Sequence, residues 1–417
     1  MREYVYHIKK EIKTRGSKEN QSKNTIGSAI KFARKSKRLT LEEASENLSS
    51  CSYLSKIENN KIIPSPKFKK LYEERLDIKL DFEVNAEFNE DINDLIKAFL
   101  FSTSYSRNKL EKYINKHNHE SNLLHLGVSS LNNDYENLHK NYETLKNYIV
   151  NLSDKELGVF LIVLANSANE RGYYQTVYDL IKLIPNEIYE DSYIAALAYK
   201  LKLSSIYNMN LILEVESNFN AYEALLKDIY AYNKLMPEAR NDYLLYYSQK
   251  LELEKLKEII LNLEYNNEEL RMLLKAIYYF RKNDLKKSLN IIKKHIYKNE
   301  TWLVLGLLIL GYTDIEEMKE VLKNDFNHLL VKEHSFVLTK YLKARYFGSD
   351  KDLFSFIKNE LTLRNNITDN FFVLSFILKD LKTFYASRNL YKDANETANR
   401  LLLLVSDTLS TINNFNN

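Results

Sequence analysis

Residues 26–78 read IGSAIKFARKSKRLTLEEASENLSSCSYLSKIENNKIIPSPKFKKLYEERLDI. Ile26, Ala29, Ile30 and Ala33 recur at helical spacing and predict a first helix with one apolar face. Lys31, Arg34, Lys35, Lys37 and Arg38 lie mostly off that stripe, on the side expected to meet solvent or a polyanion. Thr40 with Glu43 three places on is a capping-box signature, so a second helix is expected from Leu41 to about Leu48. Ser49-Ser50-Cys51 is read as a turn, and Ser52 to Glu58 as a third helix with Leu54 and Ile57 inward. Helix, short turn, helix is the arrangement that places one outer helix face in a DNA major groove. Ser52, Tyr53, Ser55, Lys56 and Asn59 are left on that outer face, where side chains reach phosphates or base edges. With Arg34, Lys35, Arg38 and Lys61 they form the candidate DNA-binding set.

The stretch resembles the Xre/lambda-repressor type of helix-turn-helix. The resemblance is carried by Leu39-Thr40-x-x-Glu43, by Tyr53-Leu54-Ser55-Lys56-Ile57-Glu58, and by Pro64-Ser65-Pro66 opening the next helix. The turn before Tyr53 is about one residue shorter than the commonest form, and Ser49 and Asn60 stand where glycines are usual. Asn tolerates the left-handed conformation, so Asn60 is a mild departure. Charge agrees: residues 1–80 hold 19 Lys/Arg and 10 Asp/Glu, a net of +9 in a chain whose total is +4. The remaining residues therefore carry −5, and the positive charge sits where phosphate contact requires it.

At 417 residues more than one domain is expected. Only 8 Gly and 4 Pro argue against a turn-rich β fold and for helices joined by short polar turns. The 31 Tyr and 19 Phe supply core material. Cys51, the single cysteine, excludes an intramolecular disulfide, and a reducing cytoplasm is the expected location. Apolar runs such as 303–310 are too short to span a bilayer, so no membrane partner is expected. No His-Glu-x-x-His run, Gly-rich phosphate loop or paired-cysteine spacing occurs. His117, His119 and His125 are read as an inter-helix loop rather than a metal site. Neither catalytic residues, metal nor cofactor are expected.

Beyond residue 100 one pattern recurs. A small or aromatic residue is followed four places on by a turn residue, two further by an apolar residue or Tyr, and three further by a small or apolar one. Ser129…Asn133, Ala168…Gly172, Tyr279…Asn283 and Tyr385…Asn389 are the clearest copies, with weaker ones centred on Asn208, Leu251, Thr313 and Gly348. The mean step from 133 to 389 is about 37 residues, close to the ~34 of tetratricopeptide repeats. Trp302-x-x-Leu305-Gly306 resembles the opening of such a repeat.

The fold expected is therefore all-α: an Xre-type helix-turn-helix followed by a right-handed tetratricopeptide-like α-solenoid. The domains expected are a polar N-terminal extension over 1–25, mobile after Lys13 and available as a basic arm, a DNA-binding domain over 26–81, a linker helix over 82–100 that couples the two parts, and a repeat domain over 101–417. Around Gly172 the stripe Val159, Ile162, Asn166 and Asn169 lies beside the buried one, and two Asn one turn apart can pair with a peptide backbone. Arg171 flanks them; Lys202, Arg240, Asn241 and Arg281 extend the candidate peptide-binding set. Such a reader followed by degenerate repeats resembles the RRNPP family of peptide-pheromone receptors. That resemblance implies a quorum-sensing transcriptional regulator, a short signalling peptide in the concave groove, and a homodimer on operator DNA. The alternative is a repeat scaffold for a folded protein partner, its helix-turn-helix serving autoregulation.

Overall fold

The structure, a computed structural model, describes residues 2–16, 26–59, 61–78, 80, 86–113, 119–146, 148–248, 252–263, 268–362, 370–400 and 402. Among them there is no strand. The chain divides into two compact units, Met1–Ala168 with Thr176–Leu201, and Asn169–Gln175 with Lys202–Asn417.

The first unit opens with α1 (Arg2–Gly16). Val5 and Ile8 are buried one turn apart, and the helix packs on a short 3₁₀ turn, Ile149–Asn151. The expectation of a polar extension is thereby corrected: the two apolar side chains give residues 2–16 a face to bury, and they fold onto the body. Residues 17–25 lie outside the described residues. Next come α2 (Ile26–Ser36), α3 (Leu41–Ser45), α4 (Cys51–Glu58) and α5 (Pro66–Leu76). They share a core of Ile30, Ala33, Ala44, Leu54, Ile57, Tyr72, Leu76 and Leu80. The next helices are α6 (Ala86–Phe101), α7 (Arg107–Glu111), α8 (His119–Leu131), α9 (Tyr135–Leu145) and α10 (Asp154–Glu170). The expected linker over 82–100 is α6, with residues 81–85 outside the described ones; Ile92, Leu95, Ile96 and Leu100 are buried, so it is a core helix of its unit.

After α11 (Tyr174–Ile181), α12 (Ser192–Met209) runs into the second unit. There follow α13 (Ile212–Asp228), α14 (Tyr232–Tyr247), α15 (Leu253–Asn262), α16 (Glu268–Arg281), α17 (Leu285–His295), α18 (Glu300–Thr313), α19 (Ile315–Lys323), α20 (Glu333–Tyr346), α21 (Asp350–Phe356) and α22 (Phe371–Ser387). Trp302 lies fully inside the larger core of this unit. Gly306 lets α17 and α18 pack closely there: a Cβ would stand 2.6 Å from Ile296 Cδ1 and force that side chain to move.

The recurring spacing has a backbone cause. Asn133, Gly172, Asn283 and Asn389 all have positive φ (55°, 76°, 63° and 59°). In three copies the carbonyl of the first residue accepts an N–H five places on: Ser129 from Asp134, Tyr279 from Asp284, and Tyr385 from Leu390. A left-handed residue closing such a bond ends one helix and sends the chain back antiparallel. Asp134 and Asp284 then cap the next helix. The weak centre placed at Asn208 moves to Asn210 (φ 63°), and Tyr230 (φ 55°) makes a turn the pattern did not reveal. Residue 251 lies outside the described residues. Two contacts in the second unit reach far along the chain. Glu333 N–H donates to Arg171 O at 2.8 Å, and Asn370 Nδ2 donates to Asn208 Oδ1 at 3.0 Å.

Candidate nucleic-acid interface

Two helices of the 26–80 segment, α3 and α4, start at a side-chain cap. Thr40 and Glu43 form the expected capping box, Thr40 Oγ1 accepting from Glu43 N–H at 3.1 Å and Thr40 N–H donating to Glu43 Oε2 at 2.6 Å. Those bonds hold the Glu43 carboxyl below its ordinary pKa. The second helix stops at Ser45, earlier than expected. The Ser45 hydroxyl donates back to Leu41 O at 2.7 Å, and such local bonding weakens a short helix end. Ser50 caps α4 by accepting from Tyr53 N–H at 3.1 Å, so Cys51 is helical rather than part of the turn. Cys51 Sγ lies 3.3 Å from Ser45 Oγ. Pro66 opens α5 as expected, and Pro suits a first turn because its missing N–H has no helical partner there. Asn60 lies outside the described residues.

Arg34 is a correction. Expected on the DNA-facing surface, it is 9% exposed and held against Glu58, Nε to Oε1 at 2.6 Å and Nη2 to Oε2 at 2.8 Å. Its Nη1 donates to Leu39 O at 2.7 Å. The two-pronged bond to Glu58 raises its pKa against the opposing effect of burial. This pair ties α2 to α4 and, with the bond to Leu39 O, commits three of the five guanidinium N–H groups inside the domain. Burial and a bond from Ser49 likewise act on Tyr72, whose phenol is pushed up by the first of these.

The other expected residues divide by exposure. Lys35, Arg38, Ser52, Lys56, Asn59 and Lys61 are exposed, whereas Tyr53 and Ser55 are half-buried. Tyr53 packs on Phe68 with ring centres 5.0 Å apart, so its ring serves the domain as well as its surface. Asn59 caps α4 and donates to Ser55 O at 2.8 Å. Lys61 N–H donates to Lys56 O at 2.9 Å, which fixes the loop leaving α4. Leu54 and Ile57 face the core as expected. Lys37, Lys67 and Lys70 are exposed as well, and none of the three belongs to the candidate set. From Asn59 to Tyr72 there are four lysines and no carboxylate, a signal that was present in the sequence.

Residues 30–82 match the family model described as Helix-turn-helix. The chain carries a helix-turn-helix domain. The match covers 53 of 417 residues. No curated protein and no solved structure matches the chain. Among the described residues no helix is long and apolar enough to cross a membrane, and no group of three His, Cys, Asp or Glu is placed to hold a metal ion.

The candidate peptide-binding residues are dispersed. Asn166 is a half-buried residue of the first unit, and the other six belong to the second. Asn169 Oδ1 accepts from Ser204 Oγ at 2.7 Å. The Arg171 guanidinium lies over the Tyr173 ring at 5.1 Å. Lys202 pairs with Glu214 at 3.6 Å, and Arg240 Nη2 donates to Tyr232 Oη at 2.6 Å. Asn241 is half-buried. Arg281 Nη1 donates to Ser248 O at 2.6 Å, and burial lowers its pKa. Of the three histidines, His117 lies outside the described residues. His119 Nε2 is 3.0 Å from Glu156 Oε1, and half-buried His125 is held down in pKa by desolvation.

Proposed function

We propose that this chain is a DNA-binding transcriptional regulator of quorum-sensing type. Its helix-turn-helix reads an operator as a homodimer, and its helical body, read as tetratricopeptide-like repeats, takes up a short signalling peptide. The observation that carries the DNA-binding part is the free outer face of α4: Ser52, Lys56 and Asn59 are exposed while Leu54 and Ile57 anchor the helix from behind. Lys35, Lys37, Arg38, Lys61 and Lys67 of the same domain are exposed, and the chain from Asn59 to Tyr72 holds no carboxylate. That combination gives base-edge contact from one helix and phosphate contact from its surroundings. Support for peptide control comes from the left-handed turns that pair the body helices and from half-buried Asn166 on α10. A peptide shifts such a regulator only by binding two states of the body unequally.

The test is binding to the DNA upstream of the chain's own reading frame, with and without short peptides encoded by neighbouring frames. A salt-sensitive complex that one peptide shifts, and that Lys56→Ala weakens, supports the proposal. A full peptide response in the Asn166→Ala/Asn169→Ala double variant sinks the asparagine clamp. A second reading, a scaffold for a folded protein, is favoured by Asn169 and Arg281 already spending their bonds inside the chain. Indifference to every peptide together with capture of one folded partner would select it.

A further inference from the structure

The helix-turn-helix is not a terminal appendage of its unit. The chain folds a body helix before it, α1, and another after it, α6. Helix α1 is held through its first half. Tyr4 stacks on Tyr142 with ring centres 3.7 Å apart, and its hydroxyl lies 2.5 Å from His139 Nδ1. His7 Nε2 donates to Lys146 O at 3.3 Å, and Lys9 Nζ lies 3.4 Å from Asp179 Oδ1. Val5 and Ile8 are buried between these contacts. On the far side of the helix-turn-helix, α6 packs on α8 so closely that a Cβ on Gly127 would stand 2.3 Å from Leu95 Cδ2.

Between the two anchors there is a third contact. Phe32 is 4% exposed, yet it is absent from the helix-turn-helix core, which Ile30 and Ala33 enter from the other side of α2. Its ring meets Tyr148 edge-on at 4.6 Å and His119 at 6.1 Å. His119 is fixed in turn by Glu156. One helix of the DNA reader therefore buries two faces, one in its own core and one on the body. A reader whose first helix buries an aromatic ring against the body has less freedom to rotate on it.

We propose that Phe32 is a positioning residue, which holds the DNA reader at one angle on the body so that operator binding need not fix that angle itself. The proposal rests on reading residues 26–80 as a DNA reader, and its first test needs no DNA. Spin labels are placed at the exposed positions of Lys37→Cys and Lys140→Cys in the full chain carrying Cys51→Ser. The distance distribution is then measured for this parent, for Phe32→Ala and for the milder Phe32→Leu, which keeps the test open if Phe32→Ala does not fold. A single narrow distance in the parent that broadens in the variants is the expected result. Operator affinity is expected to fall on the order of tenfold in the variants, because binding must then remove the rotational freedom. The slope of affinity against salt should stay the same, because no phosphate contact has been lost. A parent distribution already broad, a narrow distribution kept by both variants, or broadening with unchanged operator affinity overturns the proposal. A parent that binds no DNA refutes the function proposed above and leaves the distances to decide whether the reader is positioned.

Discussion

Arg34 and Lys35 are adjacent cations with opposite roles, and Arg34 gives the sharper prediction. Its guanidinium and the Glu58 carboxylate are 9% and 6% exposed and share two short bonds between α2 and α4. Removing one partner of such a pair leaves a buried charge uncompensated, at about 3–5 kcal/mol. A domain of about 50 residues has a stability of roughly 3–8 kcal/mol at the usual value per residue. Glu58→Gln or Arg34→Met should therefore spend most of the stability of the helix-turn-helix. Trp302, deep in the other unit, should report no change there. The assay is native-state hydrogen exchange of the amides of α2 and α4. Exchange is expected to accelerate by about two to three and a half decades at 1.4 kcal/mol per decade. The Arg34→Met/Glu58→Leu double variant should recover most of the loss, since two apolar groups of similar bulk leave no charge behind. It should keep a deficit of about 1 kcal/mol from the bond to Leu39 O. Acceleration below about fivefold in both single variants, or a double variant as damaged as their sum, would refute the claim that the pair is a buried tie.

Other expectations concern titration, backbone and charge. His334 is buried in the second unit, and burial, then the nearby Lys332 charge, lowers its pKa to about 4. Its neutral form belongs to the folded state, so the unfolded chain binds the extra proton. Denaturant unfolding followed at Trp302 should lose about 3 kcal/mol as pH falls from about 6.5 to about 4, a loss that His334→Leu should remove. Glu156 has the opposite habit. Desolvation would raise its pKa, but His119 and Ser153 outweigh it and bring the carboxyl down to about 2. Its stabilisation of the first unit is present above about pH 4.5 and lost on acidification towards pH 2, and Glu156→Gln should flatten that part of the acid-unfolding curve. Gly172→Ala should cost about 2 kcal/mol in thermal unfolding, because φ is 76° and the new Cβ would meet Lys332 Cβ at 3.1 Å and Glu333 N at 3.3 Å. Lys35→Ala should leave unfolding unchanged and reduce the salt slope of operator binding by about one.

The sequence by itself determined the local events. Thr40 and Glu43 specify a helix start through bonds within three residues, and the pattern around 133, 172, 283 and 389 specifies left-handed turns through a single backbone angle at Asn or Gly. Helical spacing placed Leu54 and Ile57 inward for the same reason, since a periodic stripe needs no knowledge of what covers it. The partner of each polar side chain could not be read this way. Arg34 looks like its neighbour Lys35 in any local window, and only the approach of α4, 24 residues on, puts Glu58 opposite Arg34 while Lys35 stays exposed. Residues 1–16 look polar in composition, yet two apolar side chains one turn apart suffice once Tyr142 and the turn at 149–151 are brought against them. Phe32 is one more apolar residue on α2 until Tyr148 and His119 give its ring somewhere to go. Asn169 can bond a peptide or Ser204, and its chemistry is the same in both cases. Local structure depends on energies shared among near neighbours in the chain, whereas the assignment of a buried or bonded partner depends on which distant segment packs against it, and that was decided by the tertiary structure alone.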